Sequence, residues 1–325
     1  MIIPGAFDTP WWLRNRHLQT ILPLALKAKN NIPYQRQRLE LLDGDFVDVF
    51  WCQPLQPETH DKRPTVIVLH GMGGCFTSHY VPGIITALLK EGYRVAFLHS
   101  RGCSGEPNRL PITFHAADTS ELNHLVNTIH AQFPVAPIAA IGFSLGGSIL
   151  LKWLAETSNT NLLSAAVAVC VPFDLSATAD AINRGFARLY QTYLLQNLKS
   201  MAIAKCTIHP APLSGPQIKA LKSLRDYDDA MTARINGFGS VDNYYAQASC
   251  RQYLGNIETP ALIINALDDP FVPRQSIPSE DELGKGVILE ISQHGGHVGY
   301  LRAADRDIPR YYDDRAPRFL RDYLT

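Results

Sequence analysis

Apolar residues along this chain fall in short runs separated by amphipathic stretches, and their rhythm changes at Thr65. Ahead of that point, Tyr34–Leu42 and Phe46–Cys52 read as two strands joined by the turn Asp43-Gly44-Asp45. Residues 1–33 contain Pro4, Pro10, Pro23 and Pro33, which break long elements, so an irregular N-terminal arm is expected. Trp11, Trp12, Leu13, Leu18, Ile21 and Leu22 would pack it onto the body. Residues 53–64, with Pro54, Pro57 and Pro64, read as a polar loop.

From Thr65 strand and helix patterns alternate. Thr65–Leu69 predicts a strand, Val81–Lys90 a helix ending near Gly92, and Tyr93–Leu98 a strand. His115–Gln132 predicts a helix with Leu122, Leu125, Val126 and Ile129 on one face. Ile138–Ile141 is a strand, an apolar helix follows Ser144, and Ala165–Cys170 is another strand. The alternation stops at Pro172 and resumes with Ala261–Ala266; Val287–Ile291 reads as the last strand and Pro317–Leu324 as a closing helix. This order implies an α/β class: one domain over 1–325, a mostly parallel central sheet, and helices on both faces. Right-handed crossovers would gather the loops after the strands along one carboxyl edge, where such sheets bind ligands. The insertion at about 173–259 is expected to be helical. Ile182, Phe186, Leu189, Tyr190, Tyr193, Leu194, Leu198 and Met201 recur at three- and four-residue steps, one helix with a broad apolar face. Its exit from the carboxyl edge suggests a lid, although ordinary packing on the core explains any one of these residues equally well.

Composition narrows the function classes. The chain is 46% hydrophobic and 18% charged, enough to bury a sizeable core. Lys plus Arg equals Asp plus Glu at 30 each, and no basic cluster tracks a phosphate backbone, so no nucleic-acid partner is expected. The six cysteines form no C-x-x-C pair, so no zinc site, metal or other cofactor is expected. The first residues lack a signal-peptide pattern, and no apolar run reaches the roughly 18 residues of a membrane span. The expectation is a cytoplasmic protein without stable membrane insertion; nothing bears on oligomeric state.

Chemistry concentrates at Gly142-Phe-Ser-Leu-Gly146, a G-x-S-x-G between a strand and a helix. At such an elbow the serine is held in a strained turn that exposes its hydroxyl. Chance gives about 0.08 such matches in a chain of this composition, so the serine needs partners before it carries weight. A serine hydroxyl is a poor nucleophile without a positioned base. His297, in His294-Gly-Gly-His-Val-Gly299 after the last strand, is the preferred base, with His294 as its rival. After strand 261–266 come Asp268 and Asp269; Asp269, fixed by Pro-Phe-Val-Pro, is preferred as the acceptor of the imidazole N–H. The order Ser144, Asp269, His297 is that of α/β-hydrolases rather than of either serine-protease order. Two N–H groups would complete an oxyanion hole: that of Leu145, after the serine, and that of Met72 in Leu69-His-Gly-Met-Gly-Gly74. A glycine turn alone also explains His70-Gly71. Ser104, in Gly102-Cys-Ser-Gly105, has no helix start behind it and reads as loop structure. Cys75 and Cys103 have no identifiable base and read as small apolar fillers.

Several longer stretches carry a resemblance. His17-Leu-Gln-Thr20 with Pro23, Asp43-Gly-Asp-Phe-Val-Asp48, Arg101-Gly-Cys-Ser-Gly-Glu-Pro-Asn-Arg109, Asp268-Asp-Pro-Phe271 and the serine and histidine motifs together resemble the YheT-like branch of the α/β-hydrolase superfamily. These are bacterial relatives of the eukaryotic abhydrolase-domain lipases. The resemblance implies the α/β-hydrolase fold, a triad on Ser144, Asp269 and His297, and hydrolysis of carboxylic esters, medium-chain acyl esters and phospholipids being among the relatives' substrates. The expected function is a serine esterase acting through an acyl-enzyme on a small-molecule ester with a short- to medium-length apolar acyl chain. Acyl transfer to an alcohol is the alternative within the same chemistry. A non-catalytic acyl-ligand binder is the alternative outside it.

Overall fold

The computed structural model describes residues 1–26, 31–52, 61–302 and 310–324. Its strands in chain order are β1 (Ile2–Pro4), β2 (Gln35–Glu40), β3 (Phe46–Trp51), β4 (Thr65–Leu69), β5 (Arg94–His99), β6 (Ile138–Phe143), β7 (Leu163–Val169), β8 (Ala261–Ala266) and β9 (Val287–Ser292). They form one nine-stranded sheet in the order β1-β9-β8-β7-β6-β4-β5-β3-β2. Of these strands β3 alone runs against the rest, pairing antiparallel with both β2 and β5. Every residue of β4, β5, β6 and β8 is buried, which is why these strands read as unbroken apolar runs rather than as alternating ones.

Helices cover both faces. In β6, Ala139, Ile141 and Phe143 join the core with α2 (Val81–Lys90) and α11 (Tyr311–Arg321); Ile138 and Ala140 point the other way, toward α3 (Ser120–Gln132) and α4 (Leu145–Glu156). The period of two along the strand thus sorts one run of apolar residues into two cores. Between β7 and β8 the chain leaves the sheet and forms α5 (Leu175–Ile182), α6 (Arg188–Lys205), α7 (Gly215–Ala220), α8 (Leu224–Tyr227), α9 (Ala233–Ile235) and α10 (Val241–Ala248). The single long helix expected from Ile182 to Met201 is two, separated at Gly185, whose φ is +50°.

Regular elements occupy part of residues 1–26, where an irregular arm was expected. Ile2–Pro4 pairs parallel with β9, and α1 spans Arg16–Ala25 with Pro23 inside it. The Asn15 side chain caps α1 by accepting from the N–H groups of His17 and Leu18. The hydrogen bond lost at Pro23 is offset by burial of Gln19, Thr20 and Pro23 against the body. The closing helix likewise starts at Tyr311, with Pro317 in its interior. Helix α3 starts at Ser120 rather than His115, because Asp118 turns the chain and accepts from the Ser120 N–H. Most of the polar loop expected at 53–64 lies outside the described residues. No helix among the described residues is long and apolar enough to cross a membrane.

Candidate active site

Strand β6 ends at Phe143, Ser144 turns the chain, and α4 begins at Leu145. Ser144 sits at φ +50°, ψ −119°, a conformation that costs an L-residue about 1–3 kcal/mol and is held only when its surroundings over-determine it. The surroundings do so by proximity. A Cβ on Gly142 would stand 2.4 Å from the Gly146 carbonyl oxygen, and one on Gly146 would stand 2.5 Å from that of His70. Strand and helix therefore meet backbone to backbone, and the serine hydroxyl is raised half-buried above the sheet edge.

The loop after β9 brings His297 to this hydroxyl. Its Nε2 lies 2.9 Å from Ser144 Oγ, and its Nδ1 lies 2.8 Å from Asp269 Oδ2 and 3.1 Å from Oδ1. The carboxylate can only accept, so Nδ1 carries the proton and Nε2 offers its lone pair to the serine. Asp269, buried in the loop after β8, also accepts from the Phe271 N–H at 2.8 Å. The Phe271 ring stacks on the imidazole at 3.9 Å with planes 3° apart, which fixes the plane of the ring. From behind, Thr20 Oγ1 accepts from the His297 N–H at 3.0 Å and donates to the Arg16 carbonyl at 2.7 Å. The two rivals of the sequence reading are paired with each other. Asp268 accepts from the Gly296 N–H at 3.0 Å and lies 3.3 Å from His294 Nδ1, and burial raises its pKa.

The loop after β4 forms the other wall. A hydrogen bond of 2.9 Å from the Gly74 N–H to the Gly71 carbonyl closes a turn over Met72 and Gly73. Tyr80 Oη accepts from the Gly71 N–H at 3.0 Å. His70 Nδ1 lies 2.7 Å from the Gly71 carbonyl, and its Nε2 accepts from the Ser100 N–H. Burial lowers the His70 pKa to about 4, so this imidazole is a neutral brace between two loops. On the serine side, Leu145 is the first residue of α4, where backbone N–H groups have no intrahelical partner and the helix dipole is positive.

Cys170, at φ +54°, packs beneath the pair, with the Val298 N–H donating to its Sγ at 3.1 Å. Its sulfur and the ligating atoms of Asp269 and His297 lie within 4.8 Å of one another. Burial holds the thiol pKa well above its ordinary value, and the carboxylate and imidazole are hydrogen-bonded to each other. Ser104 donates to Asp48 at 2.6 Å, away from this site, and Cys103 is buried with its pKa pushed up. The N–H donors aside, then, Ser144, Asp269 and His297 are brought together by hydrogen bonds, and Ser104, Cys103 and the Asp268–His294 pair lie outside that chain of contacts. Thr20, Tyr80, Phe271 and Cys170 were not picked out from the sequence. The first and third lie in its longer motifs, yet their roles depend on neighbours distant in the chain.

A cavity of about 360 Å³ opens over Ser144 and His297. Its walls are mainly apolar, with Ile21 and Leu24 of α1, Leu189, Tyr193 and Leu194 of α6, and Phe271, and with Ser78, Thr178 and Asn197 among the polar residues. Met72 and Leu145 also border a second chamber of about 260 Å³, which reaches Arg101, Lys205 and Asp228. A larger groove of about 1040 Å³ between α2 and α11 is lined by none of Ser144, Asp269 and His297.

The family profile for the alpha/beta hydrolase fold matches residues 64–304. The chain is 38% identical to the candidate esterase YheT of Escherichia coli (strain K12), over 95% of this chain and 91% of that protein. It is 29% identical to phospholipase ABHD3 of Mus musculus, over 91% of this chain and 73% of that protein. Among solved structures, the Pyrococcus furiosus esterase Pf2001 superposes with a TM-score of 0.59 over 100% of this chain and 98% of its own, at 18% identity, a likeness of fold alone. With the sheet order, the elbow and these matches in agreement, the chain belongs to the α/β-hydrolase fold family, in its YheT-like branch.

Proposed function

We propose that this protein is a serine carboxylic-ester hydrolase that works through an acyl-enzyme. The observation that carries the reading is the unbroken line Asp269–His297–Ser144, with contacts of 2.8 and 2.9 Å, ending at a serine on a strained elbow beneath an apolar cavity. The names of its relatives, an esterase and a phospholipase, support ester chemistry.

In this reading Ser144 Oγ gives its proton to His297 Nε2 as it attacks the ester carbonyl. Asp269 keeps the imidazole in the required tautomer and stabilises its cation. The N–H groups of Met72 and Leu145 receive the oxyanion, an interaction worth about 10²–10³ in rate for each donor of this kind. The His297 Nε2–H then protonates the leaving alcohol, and the neutral imidazole activates water to release the acid. The acyl chain lies in the cavity beneath α6, and the helices between β7 and β8 act as a lid. A volume of about 360 Å³ suits short- to medium-length chains.

Intact mass after brief exposure to a fluorophosphonate tests this directly. The expected result is one adduct on the wild type and none on Ser144→Ala, followed by turnover of p-nitrophenyl esters. A folded wild type that stays unmodified rejects the reading. Added alcohols that divert product from acid to new ester would reassign the chain to acyl transfer.

A further inference from the structure

Among the described residues, large apolar side chains left exposed concentrate on two elements. Trp11, Trp12, Leu18, Ile21 and Leu24 lie on α1 and the turn before it; Phe186, Leu189 and Tyr193 lie on α6 and its approach. Trp11 is 79% exposed and Leu189 60%. The two elements touch. His17 Nδ1 lies 3.0 Å from Tyr190 Oη, and the rings of His17 and Phe186 are 4.4 Å apart. The exposed residues of α1 and of α6 with its approach thus adjoin across this contact, with Trp11 and Trp12 on the turn packed against α1, and proteins seldom leave a large apolar surface of this kind without a use. The patch is also the rim of the cavity over Ser144, because Ile21, Leu24, Leu189 and Tyr193 line both.

Charge on these segments has one sign. Residues 9–26 contain Arg14 and Arg16 and no carboxylate; residues 183–205 contain Arg184 and Arg188, together with Lys199, which donates to the Lys219 and Leu221 carbonyls, and the buried Lys205, and no carboxylate. This is a sharp departure in a chain whose net charge is zero. The flanking acids, Asp8 and Asp180, face Arg14 at 3.8 Å and Arg225 at 3.5 Å. Exposed Arg16, Arg184 and Arg188 border the apolar residues.

We infer that this rim docks on the anionic surface of a lipid bilayer, laying the mouth of the cavity against the acyl region. Indole rings favour the boundary between headgroups and chains. Basic amphipathic surfaces bind there through buried apolar area together with attraction to anionic headgroups. An ester too apolar to cross water would enter between α1 and α6 directly from the surface. The contact is peripheral, since both elements remain folded on the body.

Flotation with vesicles tests this independently of catalysis, using Ser144→Ala so that no lipid is turned over. Binding is expected on vesicles of phosphatidylcholine with phosphatidylglycerol, weaker on phosphatidylcholine alone, and weakened by salt. Trp11→Glu/Trp12→Glu and Arg184→Glu/Arg188→Glu, each made on that background, should lower the bound fraction by about tenfold with thermal unfolding unchanged. In the Ser144 form the same substitutions should leave hydrolysis of a water-soluble short ester unchanged. If the tryptophan variant does not fold, the arginine variant decides. Protein that stays with the buffer at every lipid concentration overturns the inference, as does equal flotation of the variants. A wild-type dimer that Trp11→Glu/Trp12→Glu converts to a monomer, without flotation of either, would make the patch a self-association face instead.

Discussion

Gly146→Ala places a methyl group where strand and helix leave no room for one. The new Cβ would lie 2.5 Å from the His70 carbonyl oxygen, 2.8 Å from that of Leu69 and 2.9 Å from the Leu69 carbonyl carbon. Ordinary contact begins at 3.4 Å, so α4 and the end of β4 must part by roughly 0.9 Å, the difference between 3.4 and 2.5. All the obstructing atoms are backbone, so no side chain can swing aside. Overpacking of this kind costs about 1–3 kcal/mol, which in a domain of this size lowers the melting temperature by a few degrees. The same displacement carries the Leu145 N–H away from the loop that bears Met72. A misplacement near 1 Å costs about 100-fold in rate. The assay is kcat/KM on a soluble p-nitrophenyl ester beside a thermal melt. Gly215→Ala serves as control, since its Cβ would meet nothing within 4 Å. A Gly146→Ala protein with wild-type turnover and melting temperature would refute the packing argument for the elbow.

Asp269→Ala should lower kcat by about 10³-fold or more, whereas Asp268→Ala should cost less than about tenfold; a reversed order of the two would move the relay to Asp268. Thr20→Val leaves the His297 N–H without its acceptor, a loss of about 1–3 kcal/mol that should reduce kcat more than it raises KM. Asp228 accepts from Thr232 Oγ1 and Tyr245 Oη, and burial raises its pKa from 3.8 to about 6. As pH rises from about 4 to 6 the unfolded chain loses this proton before the folded one does. The contribution of Asp228 to stability should therefore fall across that window by up to about 3 kcal/mol and be flat above it, while Glu121 and Asp313, raised to about 8 and about 7, extend the decline to higher pH. Asp228→Asn should make the decline between about pH 4 and 6 shallower in melts taken across the range, leaving the share due to Glu121 and Asp313; parallel curves for the two proteins would exclude Asp228 as a source.

The buried strands were legible because parallel strands covered on both faces read as apolar runs. Thr65–Leu69, Val81–Lys90 and Ala261–Ala266 coincide with β4, α2 and β8 to the residue. Ser144, Asp269 and His297 could be singled out because each follows such a run, so topology alone assigns them to one edge. Helix α1 was hidden by Pro23, whose lost hydrogen bond is offset by burial and by contacts with Leu301 and the histidine loop, all distant in the chain. Phe271 stood in plain sight beside Asp269, yet nothing local says that its ring will lie flat on an imidazole 26 positions further on. The apolar period of α6 was visible too. Which of its residues face the core and which stand open at the cavity mouth was decided by the break at Gly185 and by α1, both of which are tertiary facts.

The prop behind His297 also sets an order of events during folding. Thr20 Oγ1 meets the His297 N–H across 277 residues, and Gln19 exchanges hydrogen bonds with Leu301 across 282. Closing so long a loop is slow compared with forming a helix or pairing neighbouring strands. The imidazole thus gains its Thr20 prop, beyond the nearer holds of Asp269 and Phe271, only after these distant segments have met. In refolding, secondary structure should return first and fluorophosphonate reactivity last, so a partly folded chain would hold the serine elbow without its base and remain chemically silent.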